Sequence, residues 1–361
     1  MKRFVNKFKI FGGRVFKTGL AVFITAYICE LLNLPAIFAV ITAIVTIEPT
    51  AAESIKKGVV RFPASAIGAA FSLTFTAFIG EDPLSYALAA TSTILLCHRL
   101  KLDDGILVAT LTAVAMIPVT GDNFILAFFT RLLTTSIGLF VSTLVNLIIL
   151  PPKFSPIIHK SIDKLFVDTA QTIEVIGHDI LGLTNTKKTQ TVQQFQAITK
   201  SYEKTLQLCH YQRAEWKFHR HTTKEMRDFQ IEHKKLTLLQ QILFHIGNLQ
   251  HLSNYSIITN IDKEKLHQAF ISINTILKDP KHRISEEHYN LIKDLDENFR
   301  KCKEQIGETH TKYYHHFPKE TVLLFELLSI HDVLEEVEHL TRNQSKRDKE
   351  YTSINTNKSP E

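Results

Sequence analysis

Catalytic signatures are missing from this chain. None of GxxxxGK[ST], GxSxG, HExxH or CxxC occurs in its 361 residues, so ATP hydrolysis and familiar hydrolase chemistry find no support and an enzyme is not expected. Cysteine is scarce. Cys29, Cys97, Cys209 and Cys302 stand far apart, which excludes a disulfide framework and fits a reduced compartment or burial in a membrane. The net charge of +6 is modest and spread along the chain, so no nucleic-acid footprint is indicated. The basic start is followed by no small-residue cleavage site, and a removed signal peptide is not expected.

What is present divides in two. Residues 1–152 carry 12 Lys/Arg and 8 Asp/Glu; residues 153–361 carry 30 and 28, with 16 of the 17 histidines. The first part has the composition of a membrane protein and the second that of a soluble one. Residues 2–17, KRFVNKFKIFGGRVFK, place Phe4, Phe8, Phe11 and Val15 at helical spacing among Lys and Arg. Either an interfacial amphipathic helix over 1–17 or a merely basic lead into the first span accounts for this.

Six apolar segments follow, at about 18–34, 36–48, 62–79, 84–98, 105–119 and 124–150. The expected fold is all-α: a six-helix transmembrane domain over 18–152, then a soluble cytoplasmic helical bundle over 153–342. Charge sets the orientation. Lys2, Arg3, Lys7, Lys9, Arg14, Lys17, Lys56, Lys57, Arg61, Arg99 and Lys101 fall on one side, and the three opposite loops hold no Lys or Arg. The positive-inside rule then predicts a multi-pass protein of the cytoplasmic membrane with both termini in the cytoplasm.

Two stretches, RFPASAIG at 61–68 and RLLTTSIG at 131–138, lie 70 residues apart. Across 36–79 against 106–149, 11 of 44 positions are identical without a gap. Each copy would hold three spans. Three is odd, so the second copy would sit upside down, giving a 3+3 inverted repeat of the kind many transporters use. Arg61 and Arg131 would each lie eight residues inside a helix, about 12 Å at the helical rise. A charge at that depth costs about 3 kcal/mol on insertion scales and should face protein or water. An anion site or gate is one role. Pairing with Glu48, Glu30 or helix C-terminal carbonyls is the other. Gly68 and Gly138 point to close helix packing.

The second and fifth spans, AIFAVITAIVTIE and ILVATLTAVAMIP, are short, carry threonines and end near proline. Short segments at matching positions of two halves mark a transport site. Thr42, Thr46, Thr110 and Thr112 are candidate hydroxyls for a carboxylate; donation to their own i−4 carbonyls is the structural alternative. Glu48 is the candidate for proton coupling, or else a partner of Arg61. Asn146 reads as a bridge between helices, and His98, Arg99, Asp103 and Asp104 as a solvated loop.

Beyond Pro151-Pro152, Ile158, Ile162, Leu165, Thr169, Ile173, Ile176 and Ile180 form one helical stripe. Further helices are expected at 190–222, 224–252, 262–278, 285–307 and 319–342, as an antiparallel bundle. A polar tail over 343–361 reads as disordered. The histidines, among them His219, His221, His315 and His316, show no HxxxH with a nearby acid, so neither metal nor cofactor is expected.

The stretch IEPTAAESIKKGVVRFPASAIGAAFS resembles the aromatic acid exporter family, within the fusaric-acid-resistance-like membrane proteins. The matching signals are Pro49-Thr50, Ser54, Lys57-Gly58, Arg61 and Gly68. The resemblance covers roughly residues 10–150, and the helical remainder looks like that family's C-terminal domain. It implies a six-helix half-transporter that dimerises or forms a higher homo-oligomer in the lipid bilayer and exports aromatic carboxylate anions, driven by the proton gradient. The second copy keeps Arg131 and Gly138 but lacks the Pro-Thr and Ser-x-Lys signals. A passive anion channel, and a membrane anchor for a helical interaction domain, stay open as alternatives.

Overall fold

In the computed structural model, the described residues are 13–119, 123–183, 188–252, 262–305 and 318–356. Among them every regular element is helical. The chain forms two units, residues 1–153 with 211–220, and residues 154–210 with 221–361. The division at Lys153 falls where the composition changes. The return of 211–220 to the first unit was not anticipated from composition.

The first unit has six helices: α1 Gly13–Leu31, α2 Ala36–Thr46, α3 Ala51–Ile79, α4 Pro83–Arg99, α5 Ile106–Met116 and α6 Phe124–Ile148. They occupy the six apolar segments. Local chemistry sets their ends. Pro49 cannot continue α2, and the Thr50 hydroxyl then caps α3 by accepting from Glu53 N–H at 3.2 Å. Gly80 ends α3 at φ +84°, which only glycine adopts freely. Asp82 caps α4, with Pro83 in its first turn. Two short 3₁₀ turns, Asp103–Gly105 and Ile117–Val119, flank α5. Residues 1–12 of the expected amphipathic helix lie outside the described residues; residues 13–17 run straight into α1, with Lys17 buried.

Helices α3 and α6 are long and apolar enough to cross a membrane; α2 is apolar but shorter. At 11 residues each, α2 and α5 are about 16 Å long, half a hydrocarbon core. Packing is paired throughout. Helix α3 packs on α5 as α6 packs on α2; α1 packs on α2 as α4 packs on α5; α3 packs on α4 as α6 packs on α1. Each pair becomes its counterpart when one copy of the repeat is exchanged for the other. The apolar clusters correspond as well. Ile47 sits with Ala21, Val141 and Val145, and Ile117 with Ala89 and Ala113.

Burial in this unit runs opposite to that of a water-soluble core. Buried positions are small or hydroxylic, such as Ala39, Ala43, Ala109, Thr25, Ser65, Ser72 and Ser142, while Phe78 is 85% and Ile125 76% exposed. Small residues let helix backbones approach, and large apolar groups outside suit a lipid solvent.

The second unit contains α7 Ser155–Leu181, most of α8 Lys188–Glu215, then α9 Thr223–Leu252, α10 Lys263–Lys278, α11 Glu286–Gln305 and α12 Lys319–Thr356. Its core is conventional. The whole predicted α7 stripe from Ile158 to Ile180 is buried, and α10 sets Phe270 against Gly177, where a Cβ would meet the ring at 2.5 Å. Helix α12 runs through Asn343 to Thr356. The stretch expected to be disordered is therefore helical to that point, because its Lys, Arg, Gln and Glu are good helix formers with no proline among them. Residues 357–361 lie outside the described residues.

Candidate functional site

Helix α6 carries Arg131 against both short helices, at Thr112 of α5 and Phe38 of α2. The side chain is 4% exposed. Nη2 donates to Thr112 Oγ1 on α5. The guanidinium carbon lies 4.2 Å from the centre of the Phe38 ring on α2, a cation–π contact. Thr112 is further held by Ser65 Oγ of α3 at 3.1 Å, and its own hydroxyl reaches Val108 O at 2.8 Å. Nε and Nη1 of Arg131 are buried with no hydrogen-bond partner. Each buried N–H left without a partner costs about 1–3 kcal/mol, and more on a charged group. The expected alternative partner, Glu30, is exposed at the end of α1.

Arg61, in the same register of the first copy, is saturated. Nη2 meets Glu48 Oε1 at 2.7 Å, Nη1 donates to Val45 O at 3.1 Å, and Nε donates to Asp104 O at 3.3 Å. Val45 lies in the last turn of α2, where the helix dipole favours a cation. Lys57 Nζ takes the other oxygen of Glu48 at 3.2 Å. Both partners foreseen for a structural arginine, Glu48 and helix C-terminal carbonyls, are thus engaged.

The candidate threonines divide. Thr42, Thr46 and Thr110 donate to Phe38 O, Thr42 O and Ile106 O at 2.8, 2.7 and 2.8 Å, each four residues back. Thr112 makes the same bond but also faces Arg131. Gly68 and Gly138 are contact points: a Cβ on Gly68 would sit 2.1 Å from Ala109 O, and one on Gly138 2.3 Å from Ala39 O. Glycine and alanine are both 70 residues from their counterparts.

Asn146 bridges helices at the α2–α3 turn, donating to Glu48 O, Thr50 O and Ser54 Oγ at 3.1, 3.2 and 2.8 Å while accepting from Lys17 Nζ at 2.8 Å. His98 and Asp103 form an exposed pair. Among the described residues no cluster of His, Cys, Asp or Glu could hold a metal ion; His315 and His316 lie outside them. Phe38 and Ser65 escaped the sequence reading. Phe38 lies one helical turn before Thr42, and Ser65 one turn after Arg61, which places each beside a residue already singled out.

A family model described as "Aromatic acid exporter family member 1" matches residues 9–149. A UPF0421 protein of Bacillus cereus (strain ATCC 10987 / NRS 248) is 50% identical over 93% of this chain and 95% of its own length. UPF0421 proteins of Halalkalibacterium halodurans (38% identical, 92% of this chain, 90% of theirs) and Staphylococcus saprophyticus (41%, 79% and 88%) are also similar. Both units are therefore shared with these relatives, whose names state no substrate.

Proposed function

The chain belongs to the aromatic acid exporter family, and from that premise we propose that it is a secondary transporter that exports small aromatic carboxylate anions across the cytoplasmic membrane, and not an enzyme. Its six first-unit helices form an inverted three-plus-three repeat in the bilayer, with both termini in the cytoplasm. The paired packing and the apolar exterior support that arrangement. The two short helices each touch Arg131, α5 through Thr112 and α2 through Phe38, which is where a transported ion would be handed from one half to the other.

One observation carries the reading: Arg131 is buried with its Nε and Nη1 donors unpartnered, beside an aromatic ring. A carboxylate oxygen accepts a charge-assisted bond from either of these N–H groups. The aromatic body of the ligand then lies against Phe38. Thr112, itself bonded to Ser65, holds the guanidinium through Nη2. Glu48 enters as the coupling candidate, because protonating it would release Arg61 and Lys57 together.

The test is efflux of 4-hydroxybenzoate from preloaded cells, with and without an uncoupler, comparing wild type and Arg131→Ala at matched membrane abundance. Efflux that needs both the gradient and Arg131 is expected. Efflux that needs Arg131 but ignores the uncoupler would make the protein a channel. Unchanged efflux in Arg131→Ala would end the assignment of this site.

A further inference from the structure

Two buried histidines join three helices of the second unit. His288 on α11 is fully buried, and His331 on α12 is 7% exposed. Nε2 of His288 lies 3.2 Å from Nδ1 of His331. On its other side, His288 Nδ1 lies 2.8 Å from Ser272 Oγ of α10. His331 Nε2 lies 3.6 Å from Glu335 Oε1, one turn along α12. The Tyr289 ring stands edge-on to the imidazole of His331, and its hydroxyl bonds Glu335.

Only one hydrogen fits between the two rings. A neutral imidazole donates from one nitrogen and accepts at the other. With both rings neutral, one order suits every contact: Ser272 donates to His288, His288 to His331, and the remaining N–H of His331 faces Glu335. A first proton from solvent reverses that order. His331 becomes an imidazolium between His288 and the Glu335 carboxylate, and His288 carries its hydrogen on the Ser272 side. A second proton sets N–H against N–H and buries two like charges together, so the rings must part. Burial draws both histidines below their ordinary range, and His331 adds to the effect on His288, which falls to about 4. Glu335 and Asp332 act the other way on His331. Glu286 and Glu338 act on Tyr289 beside it. From α10 the group facing the pair is the neutral Ser272 hydroxyl. From α9, His245 meets α12 at Glu326, at 2.6 Å, as a pair of its own.

Helix α11 has little else to hold it. Ile292 and Leu295 are the buried apolar side chains among its described residues, whereas α10 buries Leu266, Ala269, Phe270, Ile273, Ile276 and Leu277. An element with so little buried apolar surface is the part of a unit most ready to open. We propose that His288 and His331 form a proton-operated joint, which ties α11 to α10 and α12 at neutral pH and releases it in acid. The second unit thereby reads the acidity of the compartment that bathes it, whatever the first unit carries. A histidine that is harder to protonate when folded stabilises the folded state fully above about pH 6.5, the unfolded value, and loses that hold as pH falls. Opening of α11 therefore grows by up to about tenfold per pH unit for each histidine.

The experiment is hydrogen–deuterium exchange on the full-length purified protein between about pH 7.5 and about pH 5.5, either side of the unfolded histidine value, with each rate divided by the intrinsic rate at that pH. Protection of peptides across 286–305 is expected to fall at least about tenfold in acid, while peptides across α7 keep theirs. Glu335→Gln should move the transition to lower pH, because the carboxylate that helps His331 take a proton is gone. His288→Gln should flatten the pH response, whereas a merely structural histidine would lose protection equally at every pH. Should that variant fail to fold, the wild-type series and Glu335→Gln decide. Wild-type protection across 286–305 that does not change with pH would overturn the joint. So would an equal loss across α7, which is global unfolding, or a response lost in His245→Gln, which would place the proton at the α9–α12 pair.

Discussion

Arg61 and Arg131 occupy the same register in two copies of one sequence pattern, yet their surroundings differ in kind. All three nitrogens of Arg61 are bonded, and its charge is neutralised by a carboxylate that also binds Lys57. Arg131 keeps one nitrogen bonded, two without a partner, and an aromatic ring at its face. Packing around the two is shared, down to the Gly68–Ala109 and Gly138–Ala39 contacts. The scaffold is therefore duplicated while the chemistry is not. The divergence lies in position 48, glutamate in the first copy, against proline at 118 in the second. Among the described residues no acid pairs with Arg131, and it is this missing partner that the proposed function assigns to an anion from outside.

The sharpest way to test this asymmetry is to remove each charge in turn. Arg131→Gln should lower carrier-mediated efflux about 100-fold, since losing a buried charged partner costs about 2–5 kcal/mol and each 1.4 is tenfold. Arg61→Gln should instead lower thermal stability and abundance while sparing the apparent affinity for the anion. Equal loss of affinity in both variants would collapse the distinction.

Next comes an attempt to turn one arginine into the other. Glu48→Gln leaves Arg61 without its counter-charge, so the purified protein should lose about 3 kcal/mol of stability, the scale for breaking one side of a buried pair. Added benzoate should restore part of the lost thermal stability, because Arg61 then has a bond to offer an anion. Wild-type stability in Glu48→Gln would show that the pair contributes nothing and that the contrast rests on Arg131 alone.

A third pair of variants probes what the copies share. Gly68→Ala and Gly138→Ala both drive a methyl into a backbone carbonyl. Each should cost about 1–3 kcal/mol by overpacking, and by similar amounts. Thermal melts of the two purified variants give the comparison directly. A large effect at one glycine and none at the other would mean that the repeat has lost its structural symmetry too.

Much of this was legible in the residues. Apolar segments gave the positions of all six first-unit helices, because each helix is built largely from one such run. The Ile158–Ile180 stripe gave the buried face of α7 through its spacing alone. The arginines announced themselves as charges amid apolar sequence, and the 70-residue shift placed them in register. What the sequence concealed were contacts set by the fold. Nothing near His288 points to His331, which is far away along the chain. Nothing in periodicity distinguishes a saturated arginine from a free one, since Val45 O and Asp104 O are backbone groups and every residue has them. Polarity misled at the other end of the chain, where the stretch from Asn343 reads as tail yet continues α12 to Thr356.

The smallest expected effect sets Thr42 against Thr112. They are equivalent under the shift, and each hydroxyl donates to the carbonyl four residues back. Only Thr112 also accepts from Arg131. A bond to a charged group is worth about 1.5–3 kcal/mol, so Thr112→Val should weaken apparent anion affinity roughly tenfold by letting the guanidinium swing from its place. Thr42→Val removes only a bond from a hydroxyl to its own helix, and its effect on affinity should stay within about twofold because such back-bonds add little to a helix. Concentration-dependent efflux by the two variants, at equal abundance, measures the difference. If Thr42→Val matched Thr112→Val, both short helices would be touching the anion, and the first copy would have kept a share in recognition that its saturated arginine does not reveal.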